Sequence, residues 1–244
     1  RNTYIGAAAG NKGSGSAADD NTAIGFRSLR VNTSGSRNTS LGAYSVQQMV
    51  NARDTVAIGY YTLANALTST DIDGSVAIGS FSQAENRTGI GNTSVGFETL
   101  LVEVNGDSST AIGYQALKAQ TGTTGNVGNT AVGYRAATSL TSARFSTFIG
   151  KDAGLVHTTG EYNTAIGFGA MDDTNAGANS LGSAENIFIG VDAGGGTWAN
   201  VASSGNVAIG NYSMDSALDG ANSNTAVGKH SLGGLTTGDE NVAV

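Results

Sequence analysis

Apolar and polar residues alternate within a five-residue phrase that recurs along the whole chain. It runs polar residue, Thr or β-branched residue, small residue, aliphatic residue, Gly. Asn21-Thr22-Ala23-Ile24-Gly25, Ser75-Val76-Ala77-Ile78-Gly79, Asn163-Thr164-Ala165-Ile166-Gly167 and Asn206-Val207-Ala208-Ile209-Gly210 are four copies. The closing glycines are Gly6, Gly25, Gly42, Gly59, Gly79, Gly96, Gly113, Gly133, Gly150, Gly167, Gly190, Gly210 and Gly228. A further copy, Asn241-Val242-Ala243-Val244, ends before its Gly. With Gly as position zero, −3 is Thr, Val or Ile and −1 is Ile, Val or Leu, while −2 is Ala or Ser in eleven of fourteen copies. Side chains alternate across a strand, so −3 and −1 share one face and −2 takes the other. Neither face carries charge, which predicts a strand buried on both sides. We expect the β-branched face to line the inside of a coil. The small Ala/Ser face is expected to meet other copies of the chain.

Successive phrase glycines are 19, 17, 17, 20, 17, 17, 20, 17, 17, 23, 20 and 18 residues apart. Seventeen residues are too few for a strand, a packed helix and two connections. They hold two strands of about five residues and two tight turns. A helical 3.6-residue periodicity is missing. The predicted fold is therefore all-β: a parallel β-roll or β-solenoid of about fourteen short coils, one repeat array over residues 1–244. The longer gaps after Gly59, Gly113 and Gly167 read as loop insertions and as the variable exposed surface.

Past the Gly, +3 is Ala, Ser or Thr and +4 is usually Leu, Val or Met. Three copies replace the small −2 residue with Tyr4, Phe148 or Phe188, and the same three carry Gly10, Gly154 or Gly194 at +4. Close packing penalises voids and overfilling alike, so −2 and +4 fill one shared volume, in the same coil or across a subunit contact. The phrase Gly reads either as a turn residue with positive φ or as a point of close backbone approach. The Asn column at −4 reads as turn capping, with like residues stacked into a ladder.

Composition narrows function. Pro and Cys are both absent. Pro cannot donate to a strand ladder, and without Cys there are neither disulfides nor thiolate metal sites. A net charge of −7 with only 12 Lys and Arg argues against nucleic acid as a partner. No apolar run approaches the ~18 residues of a membrane helix, so membrane insertion is not expected. The chain opens at Arg1 and closes inside a phrase, which reads as a segment of a longer polypeptide.

The pentapeptides Ser75–Gly79 and Asn206–Gly210 resemble the head repeat of trimeric autotransporter adhesins. Thr110-Ala111-Ile112-Gly113-Tyr114-Gln115-Ala116-Leu117 and Asn129-Thr130-Ala131-Val132-Gly133-Tyr134-Arg135-Ala136 are similar to repeats of bacteriophage tail fibres. The resemblance implies a left-handed β-roll assembled as a homotrimeric fibre. It further implies an extracellular place, on a virion or cell-surface appendage, and a structural role in attachment to a glycan or protein receptor. The longer coils, and the lack of a neck, stalk or anchor within the sequence, favour the fibre over the adhesin head.

The search for chemistry leaves no enzyme assignment and no cofactor. His157 and His230 read as solvated loop or edge residues. The acids Asp19-Asp20, Asp71-Ile72-Asp73 and Asp172-Asp173 read as solvated turns rather than calcium ligands. Gly194-Gly195-Gly196 lacks the Lys of a phosphate loop. Trp198, beyond it, could stack on a sugar or pack against the next coil. Asn32, Asn38, Asn86, Asn92 and Asn211 open Asn-x-Ser/Thr triplets; Asn38 and Asn92 belong to the phrase itself. A glycan-cleaving spike remains an enzymatic alternative. An ice-binding solenoid is another, weighed down by the expectation that the −3 Thr residues point inward.

Overall fold

The computed structural model describes residues 1–10, 18–65, 72–121, 125–174 and 180–244. The chain is an all-β parallel β-solenoid of about 13 coils with almost no helix. Among the described residues, one helical turn occurs, a 3-10 turn at Ser180–Gly182. The chain divides into two compact units, Arg1–Val127 and Gly128–Val244.

In the N-terminal unit the phrase forms β1 (Thr3–Ile5), β2 (Thr22–Ile24), β3 (Thr39–Leu41), β4 (Val56–Ile58), β5 (Val76–Ile78) and β6 (Thr93–Val95). A short β7 (Gly106–Asp107) precedes β8 (Thr110–Ile112) and pairs with β9 (Gly125–Asn126). In the C-terminal unit it forms β10 (Thr130–Val132), β11 (Thr147–Ile149), β12 (Thr164–Ile166), β13 (Ile187–Ile189), β14 (Val207–Ile209), β15 (Thr225–Val227) and β16 (Val242–Ala243). Neighbouring coils pair in parallel with like on like: Thr22 faces Thr39, Ala23 faces Ser40 and Ile24 faces Leu41.

The phrase strands are three residues long (two in β16), not five, and among the described residues each coil has one rather than two, apart from the short β7 and β9. The reason is backbone handedness. Positions +2 and +4 are left-handed even without Gly, as at Arg27 (φ 55), Leu29 (φ 48), Tyr61 (φ 56) and Leu63 (φ 48). Such residues cannot continue a pleat, and each costs about 1–2 kcal/mol in isolation. Inter-coil hydrogen bonds over-determine them: Arg27 N–H donates to Ala7 O at 3.0 Å and Leu29 N–H to Ser45 O at 3.0 Å.

The interior is the −2 face, which reverses the expected orientation. Ala23, Ala57 and Ala77 in the N-terminal unit, and Ala131, Ala165 and Ala208 in the C-terminal unit, are fully buried. The aliphatic −1 residues face outward, with Leu41 44% and Ile209 41% exposed. A coil this narrow already holds the +4 side chain inside, where Leu29, Leu63, Leu100 and Leu117 are fully buried. Only a small residue fits opposite it. The three exceptional coils follow the same rule. A Cβ on Gly10 would lie 2.6 Å from the ring of Tyr4, one on Gly194 would lie 2.7 Å from that of Phe188, and Gly154 faces Phe148 likewise. The shared volume lies within one coil.

Candidate functional site

Every phrase Gly has positive φ, between 123 and 145. Both sequence readings of this residue hold together. A Cβ on Gly25 would sit 2.5 Å from the carbonyl oxygen of Gly42, and one on Gly190 would sit 2.6 Å from that of Gly210. The Gly column thus sets the coil spacing and turns the chain from the strand to the next side.

The Asn column forms the expected ladder. In the C-terminal unit Asn186 Nδ2 donates to Asn163 Oδ1 (3.2 Å), Asn206 to Asn186 (3.1 Å), Asn224 to Asn206 (3.0 Å) and Asn241 to Asn224 (2.8 Å). Each Oδ1 also accepts the next coil's backbone N–H, as Asn186 Oδ1 does from Asn206. The second Nδ2 hydrogen reaches a turn carbonyl, as from Asn206 to Ala221 O (2.8 Å). Buried amides are thereby satisfied.

Outside, two ranks of side chains run along each unit: Thr, Val or Ile at −3 and Ile, Val or Leu at −1. Together they form the outward strand face of each unit, aliphatic at −1 and mostly Thr at −3. A second outward feature belongs to the N-terminal unit. Every coil from Gly25 to Gly113 carries an aromatic residue at +1 or +2. Ring centroids step from Phe26 to Tyr44 (5.3 Å), Tyr60 (6.0 Å), Phe81 (5.5 Å), Phe97 (6.1 Å) and Tyr114 (5.6 Å). Most meet edge to face, a favourable arrangement. Tyr60 is 47% exposed. Sequence reasoning passed over this ladder because it alternates between two positions.

His157 is not a solvated residue. It is fully buried, with Nε2 3.0 Å from Gly160 O, Nδ1 3.2 Å from Thr174 Oγ1 and its ring beside Phe148. Burial pushes its pKa down to about 4. It occupies +7, an inner corner that Asn32 and Asn86 fill in other coils by bonding both backbone groups of Gly35 and Gly89. Glu103 stands in the same column, fully buried. Its Oε1 accepts the Gly106 N–H (2.7 Å) and its Oε2 accepts Gln120 Nε2 (2.6 Å). Aligning the coils on their glycines would have exposed this column. His230 is exposed, as expected, and stacks on Tyr212.

Trp198 resolves to core packing: it is fully buried, edge-on to Phe188, with Nε1 donating to Gly194 O at 2.9 Å. Of the five Asn-x-Ser/Thr asparagines only Asn211 is exposed. Asp19 and Asp20 lie in the open beside the N-terminal amine. Asp71 lies outside the described residues; Asp73 accepts the Arg53 N–H at 2.5 Å. Asp172 is half-buried, not fully solvated, and its carboxyl is pushed up to about 6 by burial and then by Asp192, Asp173 and Asp152. Asp173 accepts Thr197 Oγ1 at 2.6 Å. Among the described residues no three His, Cys, Asp or Glu are placed to hold a metal ion, and no helix is long and apolar enough to cross a membrane. The insertions after Gly59, Gly113 and Gly167 centre on residues 66–71, 122–124 and 175–179, outside the described residues.

Comparison with protein-family models, with curated proteins and with solved structures finds no match.

Proposed function

We propose that this chain is a non-enzymatic structural segment of an extracellular homotrimeric fibre, of the phage tail-fibre kind, that serves attachment to a host cell or surface. The observation that carries the reading is the outward −1/−3 face. Ranks of Ile, Val and Thr repeat at every coil and would leave a long apolar strip in water unless another surface covered it. Copies of the same chain carry the same strip at the same period, so three left-handed rolls can register coil against coil around a common axis. The contact face is thus the aliphatic one, not the Ala/Ser one. A bacterial adhesin head would use the same assembly.

Sedimentation equilibrium at micromolar concentration tests this reading. A trimer is expected, and Ile78→Lys or Ile209→Lys should dissociate it without loss of the all-β circular dichroism spectrum. A wild-type monomer would overturn the proposal. One finding favours a second reading. The −3 threonines point outward, as an ice-binding array requires, although Val56, Val76, Ile187 and Val207 interrupt the rank. Thermal hysteresis in a monomeric sample would favour that alternative.

A further inference from the structure

The coil corner five residues before each phrase Gly is a solvent column in both units. In the N-terminal unit it holds exposed Asp20, Arg37 and Asp54, the last two paired at 2.6 Å. In the C-terminal unit it holds exposed Glu185, Ser223 and Glu240. Two consecutive coils break the pattern with Phe145 and Tyr162, 44% and 53% exposed. The backbone here is left-handed (φ 54 and 60), a conformation that favours Gly and penalises bulky side chains. At +4 burial of a Leu offsets that penalty; at this corner the rings remain half in water. The fold therefore gives no reason for two aromatics at this place.

Their arrangement suggests a use. The rings are stacked, with centroids 5.6 Å apart and planes 17° from parallel. Gly128, one coil earlier in the column, has no side chain to cover Phe145. Arg144 and Glu161 flank the pair, Nε to Oε1 3.9 Å and both partly exposed. A buried aromatic covers about 150–250 Å², so two half-exposed rings offer about 200 Å². A stable protein interface needs about 800 Å² per partner, and in this column neither Gly128 on one side nor Glu185 on the other can extend the patch. The occupant must be the size of one or two rings. A pyranose fits: its C–H face stacks on an aromatic ring, and its hydroxyls pair with a guanidinium donor and a carboxylate acceptor. The net charge of −7 disfavours a nucleobase attached to phosphate.

We propose that Phe145 and Tyr162, with Arg144 and Glu161, form a saccharide-binding site on the C-terminal unit. The inference rests on the attachment reading above and names the chemical class of its receptor, a glycan that exposes pyranose rings. The test uses the full chain in native gels cast with hydroxyethyl cellulose, xylan, galactomannan, dextran or a bacterial O-antigen polysaccharide. Tyrosine fluorescence titration with oligosaccharides of the retarding polymer then gives a Kd. Retardation by at least one polymer is expected. Phe145→Asn/Tyr162→Asn, with a residue type that tolerates this backbone, should raise the Kd about tenfold or more. Arg144→Gln should raise it about threefold, and Tyr60→Asn, in the outer ladder of the other unit, should leave it unchanged. Circular dichroism establishes that each variant is folded. Failure of every polymer to retard the chain would overturn the proposal. So would wild-type affinity in the double and Arg144 variants, or an equal loss in Tyr60→Asn. Sedimentation of the same samples separates the two ideas: a trimer that binds no saccharide overturns this site and leaves the fibre standing.

Discussion

Apart from Tyr4 in its first coil, the N-terminal unit wears its aromatic residues outside the coil; the C-terminal unit places Phe148, Phe188 and Trp198 inside. From Phe26 to Tyr114 the rings form an outer ladder around a core of Ala, Leu, Val and Met. In the C-terminal unit Phe148, Phe188 and Trp198 are fully buried, and Lys151, Val191, Asn211 and Lys229 interrupt the +1 column outside. The Asn spine differs in parallel. Thr55, Ser75 and Ser109 break it in the N-terminal unit, whereas it runs without interruption from Asn163 to Asn241 in the C-terminal unit. The same coil therefore tolerates two fillings, provided the interior volume is conserved. The Gly column, by contrast, is the same in every complete copy of both units.

That contrast sets the order of expected effects. Gly25→Ala and Gly190→Ala should each cost about 5 kcal/mol or more, beyond most single substitutions, because the new Cβ meets backbone rather than a movable side chain. Chemical denaturation should show the two losses to be alike; a mild effect in either unit would mean that the coils can spread apart there. Next comes the filling. Phe188→Ala should cost about 3–4 kcal/mol by leaving a cavity under Trp198. Adding Gly194→Leu should restore at least half of that, since Leu29 and Leu63 adopt the same backbone. Failure of the second change to rescue would refute the shared volume. Tyr60→Ala, outside the coil, should cost only about 1 kcal/mol in a monomer.

Acid should strain the C-terminal unit at His157. Its pKa falls from 6.5 to about 4 on folding, because burial disfavours the charged ring. The unfolded chain thus binds more protons between those values, and stability falls as pH falls. The contribution is complete above 6.5, is lost by about pH 4 and amounts to about 3 kcal/mol. Asp172 acts in the opposite sense. Its pKa rises from 3.8 to about 6, so protonation in that range favours the fold, but the group is only half-buried and solvent screens it. His157→Asn, the side chain used at Asn32 and Asn86, should flatten the pH profile. An unchanged acid limb in urea titrations at pH 4 to 7 would place the sensitivity elsewhere.

Much of the fold was legible because it repeats. The Gly spacing gave the coil, the −2/+4 exchange at Tyr4/Gly10 gave a true contact, and Asn at −4 gave the spine. The facing of the strand was not legible. Alternation says which residues share a side, not which side is inner, and here left-handed backbone at +4 sends Leu inward to occupy the room that Ile would need. The same backbone shortened the strands, a feature that residue types such as Leu63 or Tyr61 conceal because they rarely adopt it. The Phe145/Tyr162 pair stands out only once the coils are aligned on their glycines and its column is seen to be otherwise polar or Gly.

The smallest expected effect sharpens the difference between the two Asn spines. Asn92 in the N-terminal unit makes two side-chain bonds along its column, donating to Gly106 O (2.7 Å) and accepting from Ser109 N–H (2.8 Å). Asn206 makes four. Its Nδ2 donates to Asn186 Oδ1 and Ala221 O, and its Oδ1 accepts from both the N–H and the Nδ2 of Asn224. Each buried bond contributes about 0.5–1.5 kcal/mol, and a partner left unsatisfied adds to the loss. Asn206→Ala should therefore cost about 2 kcal/mol, and Asn92→Ala about 1. Asn206→Ser should fall between wild type and Ala, because Ser146 shows how a hydroxyl serves this position: its Oγ accepts the Asn163 N–H at 3.1 Å. Equal losses at Asn92 and Asn206 would mean that the amide-to-amide links add nothing to the capping bonds. The unbroken spine would then be a by-product of the repeat rather than a source of stability in the C-terminal unit.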